Sequence, residues 1–494
     1  MPALGDRWGW TTLVVGFGAL LLATTVVVGA DYMWAPTLGE RILAERGVPA
    51  GLPFAAAPTQ TWANVPVGAE LLLALVGRLG VLGPPLAQLL ASVGAWVLLA
   101  WVCRARGAAD APTAVVLAVV VAGSLTAWGV ARLQLLSLVP FALVLLLVHA
   151  EGRHPSIRVW WLPVVVAVWG NLHGAVLVGV ALIGVHLLVW RLRRRPVESV
   201  AVGLVTLAAL FVNPAGPRTL HYYLGVLTNE AARAHSHLWA PLDLASGSDL
   251  LLAVAAVVLL GFALRAVPTA WEWVAVAGLA AATVSAARNG LWLLLVLAPI
   301  AAAGLTRGLR RTPAVAPAPS HVGALPEPSP APEPSPSSLS SPSSLSSLSS
   351  LSARGPSSGR LVGSAGLALA VVALVLLAAR GPALAPVDPT LVAAVTQQAA
   401  GRVILAPEPL VESLAAAGAR VWACDPIDAF DPADQRAYLA FLEDAEGQQR
   451  AVDGSAVVVL RAADHRVARL AGQGWTVNLV APTSPGWVLL ARPR

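Results

Sequence analysis

Asp31 follows directly on an apolar run at 11–30. A carboxylate at the end of a first membrane span has two chemical uses: it can deprotonate an acceptor hydroxyl, or hold a divalent ion beside a phosphate. The same charge also serves simply to mark a helix boundary. Glu40, Glu45, Trp62, Asn64 and Glu70 come next in the same segment. Trp62, like Trp34, suits either an interfacial anchor or a surface on which a sugar or lipid group stacks. Glu70 suits a helix cap or the edge of a groove.

Further along, polar groups recur at the ends of apolar runs. They are Arg132 and Gln134, the turn Trp169-Gly170-Asn171-Leu172-His173-Gly174, the 213–249 stretch with His221, His235 and His237, and the pair Arg288-Asn289. Arginine is the side chain that meets phosphate or pyrophosphate with two parallel hydrogen bonds. A histidine beside it serves as acid, base or hydrogen-bond donor, or only as a structural link. His235 and His237 diverge on a helix and share a face on a strand, which makes a poor metal pair.

Some chemistry is excluded outright. All 32 basic residues are arginine, so lysine bases and Schiff bases are absent. The two cysteines, Cys103 and Cys424, have no metal-type spacing and fall near opposite membrane faces, which prevents their pairing. No metal-ligand cluster is legible, although a divalent metal at Asp31 stays open and no other cofactor is indicated.

These residues must be held by membrane-spanning elements. Hydrophobic residues make up 57% of the chain and charged ones 12%, with a mean hydropathy of +0.73, too apolar for ordinary soluble domains. Eleven apolar runs stand at about 11–30, 83–103, 112–130, 133–149, 159–172, 173–190, 198–213, 249–267, 269–286, 290–306 and 361–379. The first ends in Val28-Gly29-Ala30, which looks like a signal-peptidase site, but at about twenty residues it is read as a retained span.

A cytoplasmic N-terminus puts fifteen arginines on the inside, among them the 191–195 cluster, and seven outside: Arg41, Arg46, Arg78, Arg132, Arg218, Arg233 and Arg288. A pI near 10.2 therefore reports topology and gives no reason to expect nucleic acid. The same orientation gathers the polar candidates on the outer face of a bacterial inner membrane.

The chain divides into a membrane core at 1–311 with a long outer loop at 31–84, a Pro/Ser-rich linker at 312–359, a last span at 360–380 and a segment at 384–494. Within the outer loop, 38–43 and 70–79 read as amphipathic helices along the interface. The linker carries too few bulky apolar residues to pack and reads as a disordered cytoplasmic tether. In the last segment short β-type runs alternate with helical stretches, the pattern of a small α/β domain outside the membrane. It has no phosphate loop and no nucleophile elbow. Asp425 and Asp428 follow a strand end, where α/β domains often bind ligands, but they read first as turn and capping residues.

Several of these residues carry a family resemblance. The series Asp31, Gly39, Ile42, Gly47, Pro49, Thr59, Trp62 and Glu70 looks like the first-loop signature of bacterial membrane proteins that resemble the GT-C glycosyltransferase superfamily. Arg132-Leu133-Gln134, the 169–174 turn, Asn213-Pro214-Ala215-Gly216 and Ala287-Arg288-Asn289 are similar to its other motifs, and 421–430 resembles the soluble domain often appended to such proteins.

The resemblance implies a polytopic α-helical enzyme that takes a sugar from a polyprenyl-phosphate or pyrophosphate donor, with its first-loop acid mapping onto Asp31. Tyr32 stands where many such enzymes carry a second acid. Asp31 is then expected as general base, with Arg132, His173, Asn171 and Arg288 around the phosphate and Trp62 and Glu70 shaping the groove. The rival class is a non-catalytic scaffold or transporter of envelope assembly that binds a protein partner through 384–494. Few ionisable residues at mid-span weigh against transport.

Overall fold

The computed structural model describes residues 4–152, 154–234, 239–311, 358–480 and 486–493. His235, His237 and nearly all of the 312–359 linker lie outside the described residues.

Each of the eleven apolar runs forms a helix, but the helices differ in length. Five are long and apolar enough to cross a membrane: Trp8–Thr25, Gly80–Ala105, Leu133–Glu151, Ala287–Arg310 and Gly359–Arg380. The remaining runs form shorter apolar helices of 10–17 residues, and one further helix of that kind, Val67–Gly77, lies in the first loop. Helix starts follow local chemistry. Prolines occupy the first turns of Gly83–Ala105 and Pro196–Ala209, where no N–H is needed, and Thr269 with Glu272 closes a capping box on Ala270–Ser285.

The centre of the bundle is aromatic. Phe141 meets Trp292 with ring centroids 4.8 Å apart and Trp169 at 6.1 Å, while Trp96 and Trp128 cross edge to face at 5.1 Å. Of the five long helices, Ala287–Arg310 is the most enclosed. At the ends of the helices away from Asp31, buried charges are paired. Arg191 bridges Glu151 at 3.0 Å and Glu198 at 2.8 Å, and Arg106 grips Glu272. Pairing is what makes such burial tolerable.

The first and last long helices pack side by side through glycine. A Cβ on Gly9 would lie 2.4 Å from the Gly359 carbonyl oxygen, one on Gly16 would lie 2.0 Å from that of Gly366, and one on Gly366 would lie 2.4 Å from that of Thr12. The matching heptad steps mean that the two helices run parallel with their backbones nearly touching. Arg380 closes the far end by donating to the Ala23 carbonyl at 2.9 Å. Gly366→Leu is therefore expected to cost about 2 kcal/mol or more through overpacking. Gly278→Leu, at a site with nothing within 4 Å, is expected to be nearly neutral. Thermal midpoints of the purified variants compare the two.

Two small sheets complete the architecture. Strand β1 (Val27–Val28) pairs in parallel with β2 (Val130–Ala131). Strands β3 (Ile404–Leu405), β4 (Val457–Arg461), β5 (Thr476–Leu479) and β6 (Trp487–Ala491) form a four-stranded sheet in the order β3-β4-β6-β5, parallel between β3 and β4 and antiparallel elsewhere. Val457 to Leu460 are buried, as a central strand covered on both faces requires.

This second sheet also gains backbone from the first loop. The Val421 N–H donates to the Phe54 carbonyl at 2.9 Å, and the Ala56 and Ala57 N–H groups donate to the Val421 and Trp422 carbonyls at 2.7 and 3.0 Å. Ala55 and Ile404 both bridge Val421 in parallel. The first loop thus lies along the sheet edge and covers it.

Candidate active site

Asp31 is positioned by the smallest sheet in the molecule. The β1–β2 pair continues into a hydrogen bond from the Gly29 N–H to the Ala131 carbonyl at 2.9 Å. A Cβ at Gly29 would lie 2.8 Å from that oxygen and 3.2 Å from Cγ of Arg132, so only glycine permits the approach. The clamp sets Asp31, at the first turn of helix Asp31–Glu45, against the start of the 3₁₀ turn Leu133–Ser137. There the Leu133 N–H donates to Asp31 Oδ2 at 3.2 Å.

The Asp31 carboxyl is half-buried, and burial raises its pKa above the usual carboxylate value. Arg132, the Leu133 N–H and Arg288 pull the other way without cancelling the rise. A carboxylate of raised basicity next to fixed cations is suited to accept a proton.

Arg288 comes from the opposite side of the bundle, in the short 3₁₀ turn Ala287–Asn289. That turn is held by the Ala287 N–H donating to Ala240 at 3.1 Å and the Asn289 side chain donating to Ala282 at 3.0 Å. The guanidinium sits over the Trp239 ring, 4.8 Å from its centroid. Among the described residues neither Arg132 nor Arg288 forms an ion pair, in contrast to the buried arginines at the other end of the bundle. Two uncompensated guanidiniums that feel each other are a ready site for a dianion.

His173 lies in the turn ahead of helix Val176–His186 and accepts the Ala175 N–H on Nδ1 at 2.9 Å. Burial and Arg288 push its pKa down to about 3. It is therefore neutral, with its proton on Nε2, which leaves that N–H as a donor among the roles the sequence left open.

Trp62, Arg132, His173, Arg288 and Asp31 share the wall of one cavity of about 330 Å³, with Trp34, Tyr222, Tyr223, Asp425 and Asp428. The Trp62 indole N–H donates to Asp428 Oδ2 at 3.2 Å, and Arg218 braces that loop by donating to the Thr61 and Trp62 carbonyls at 3.0 Å each. Burial lifts the Asp428 carboxyl to about 6.

A second cavity of about 370 Å³ opens from the same two arginines toward Ser124, Ala127, Leu135, Leu252 and Leu291, a mostly apolar set. A third, of about 570 Å³, joins Asp31 and Arg132 to Glu408, Asp425 and Tyr438. Arg132 lines all three.

Two expected site residues are used elsewhere. Asn171 spends its side-chain amide on the Ala167 and Val212 carbonyls at 2.8 and 2.6 Å, and its own carbonyl receives the Ala69 N–H at 3.1 Å, so it locks the turn to helix Val67–Gly77. Glu70 is fully buried between loop helices, where burial raises it to about 8 and Asn64 donates to its Oε2 at 2.8 Å. Helix Val67–Gly77 thus packs against Asp31–Glu45 and buries its acid, which a helix lying along the interface would expose.

The C-terminal segment supplies what the sequence reading missed. Asp425 and Asp428, expected as turn and capping residues, face the cavity. The metal-ligand spacing that was absent along the chain is present in space: one carboxylate oxygen from each of Glu408, Glu412 and Asp425 lies within 4.8 Å of the others. Cys103 and Cys424 are both buried and free.

The resemblance drawn from the sequence is matched by solved structures at the level of fold. The chain is similar in structure to ArnT from Cupriavidus metallidurans solved with undecaprenyl phosphate bound, at 16% identity and a TM-score of 0.50, covering 98% of both chains. The apo structure of the same protein is similar at 16% identity and a TM-score of 0.43, with 98% of this chain and 99% of that one covered. No family model matches the sequence, and no curated protein matches it.

Proposed function

We propose that this chain is a membrane glycosyltransferase that moves a sugar from a polyprenyl-phosphate-type donor to an envelope acceptor on the extracytoplasmic face of a bacterial inner membrane. The observation that carries the reading is a basic carboxylate, Asp31, clamped beside two arginines that form no ion pair among the described residues. In this reading Arg132 and Arg288 hold the donor phosphate, and Asp31 takes the proton of the acceptor hydroxyl as it attacks the anomeric carbon. The leaving phosphate departs in line, and the configuration inverts. His173 donates from Nε2 to a phosphate or sugar oxygen, and Trp62, held by Asp428, gives the sugar a face to stack on.

The apolar cavity that begins at the same arginines fits the first part of a lipid tail. Undecaprenyl phosphate, the ligand of the similar ArnT structure, belongs to the donor class inferred here. The eleven apolar helices serve as spans, the shorter ones meeting the interface through the loops, and the arginine distribution puts the N-terminus inside and residues 384–494 outside.

The test is transfer by purified, reconstituted protein of radiolabelled sugar from polyprenyl-phosphate donors to an extracted envelope lipid fraction. Time-dependent labelling of the acceptor is expected. Absence of labelling across the common donor sugars, with the protein shown to be folded, would remove the enzymatic reading.

A further inference from the structure

The transfer chemistry leaves one group of side chains unused. Glu408 lies just beyond β3, Glu412 in the first turn of helix Leu410–Ala416, and Asp425 just after the extended 421–424 segment. One oxygen from each lies within 4.8 Å of the other two, with Glu412 buried, Asp425 half-buried and Glu408 exposed.

The three acids carry like charge in a poorly hydrated place. Glu412 is fully enclosed, receives a long bond from the Asp425 N–H at 3.3 Å on Oε1, and has no partner for Oε2 among the described residues. The charged groups that bear on Asp425 are all carboxylates: Glu408, Glu412, Asp31 and Asp428. Burial and the neighbouring Glu408 hold the Glu412 carboxyl up at about 8.

An independent feature points the same way. Tyr438 is 1% exposed, and its hydroxyl has no hydrogen-bond partner among the described residues, although the groups that act on it are Glu412, Glu408, Cys424 and Asp425. It lines the 570 Å³ cavity together with Glu408 and Asp425. Buried polar atoms are rarely left without partners, and two of them here, Glu412 Oε2 and the Tyr438 hydroxyl, have none among the described residues, which points to a missing ligand. Three carboxylates and a hydroxyl select a hard cation.

We infer that Glu408, Glu412 and Asp425 bind one divalent cation of the calcium class, on the wall of the cavity that Asp31 and Arg132 also line. Three carboxylate oxygens within 4.8 Å of one another can all reach one ion, and calcium, which takes six to eight oxygen ligands at about 2.3–2.6 Å in flexible geometry, accepts such a set most readily. The cation neutralises the three acids, and its remaining coordination positions open into the cavity.

The experiment uses full-length protein stripped with chelator and needs no sugar donor, so its result is independent of the transferase reading. Terbium serves as the probe, because its emission is sensitised by tyrosine and tryptophan close to the ion. Tyr438 and Trp239 both line this cavity. Wild type is expected to show terbium emission displaced by calcium, with one calcium bound per chain by calorimetry. Glu412→Gln is expected to weaken calcium at least tenfold. The exposed Glu408→Gln, which leaves the buried side chains in place, is expected to do the same. Glu446→Gln, at an exposed acid outside the trio, should bind as wild type does. Lack of calcium-displaceable emission in wild type, or equal affinity in wild type and both trio variants, overturns the inference.

Discussion

Asp31→Asn is expected to lower the turnover of sugar transfer by about 10³-fold, the size of contribution that a positioned general base makes. Asparagine has nearly the same shape, and its carbonyl oxygen can still accept the Leu133 N–H, so the clamp between β1 and β2 is preserved. What disappears is the lone pair that takes the proton. KM for the donor should therefore change little, because the phosphate is held by Arg132 and Arg288.

The pH dependence follows from the direction of the shift. The base works only when deprotonated, so wild-type turnover should fall as pH drops through the raised pKa of Asp31. The residual activity of the variant should lack that limb. Stability carries an independent sign. A carboxyl whose folded-state pKa lies above its unfolded value binds its proton more tightly in the folded protein, so stability is lost as pH rises through that range. Asparagine has no charge to bury, and the thermal midpoint of the variant at neutral pH should equal or exceed that of wild type. A variant that loses activity and gains stability separates catalysis from folding. Unchanged transfer would remove Asp31 from the mechanism.

Arg288→Ala is expected to lower kcat/KM by about 10²-fold or more, the usual result of deleting one donor to a developing anion in a water-poor site. Two observations favour a large effect. The guanidinium makes no ion pair among the described residues, so its charge is available to a ligand, and the Trp239 ring fixes its plane. Binding of undecaprenyl phosphate itself should weaken in parallel, because the arginine acts on the phosphate both before and after transfer. Arg288→Lys is expected to recover only part of the loss, since an ammonium cannot present two parallel donors or stack as a plane. Equilibrium binding of the lipid phosphate and steady-state kinetics on the same preparations provide the measurements. Full rescue by lysine would reduce the role of Arg288 to bulk charge.

The sequence revealed those parts of the molecule that hydropathy controls. Every apolar run became a helix, and Asp31, Arg132, His173 and Arg288 met because each stands where such a run begins or ends. Membrane helices align their ends at common depths, so residues remote along the chain become neighbours. Direction within a turn was not legible. Asn171 and His173 are two residues apart, yet one feeds backbone carbonyls and the other faces the cavity. Glu70 looked like a groove residue but supports the loop from inside.

The C-terminal acids escaped for a different reason. Glu408 and Glu412 are seventeen and thirteen residues from Asp425 with no motif spacing, and they meet only through the pairing of Val421 with Ile404. Residues 54–57, Phe-Ala-Ala-Ala, carry no alternation that would mark an edge strand.

That edge pairing has a mechanical meaning. The first loop holds Asp31 at one end and gives its backbone to the C-terminal sheet at the other, while the last long helix is held against the first by touching glycines. Among the described residues, the parts before 312 and after 357 are thus keyed together twice, once where the two long helices touch and once at the sheet edge. Each key aligns the two parts without calling on the segment that joins them along the chain. In assembly terms the molecule behaves as a subunit pair carried on one chain.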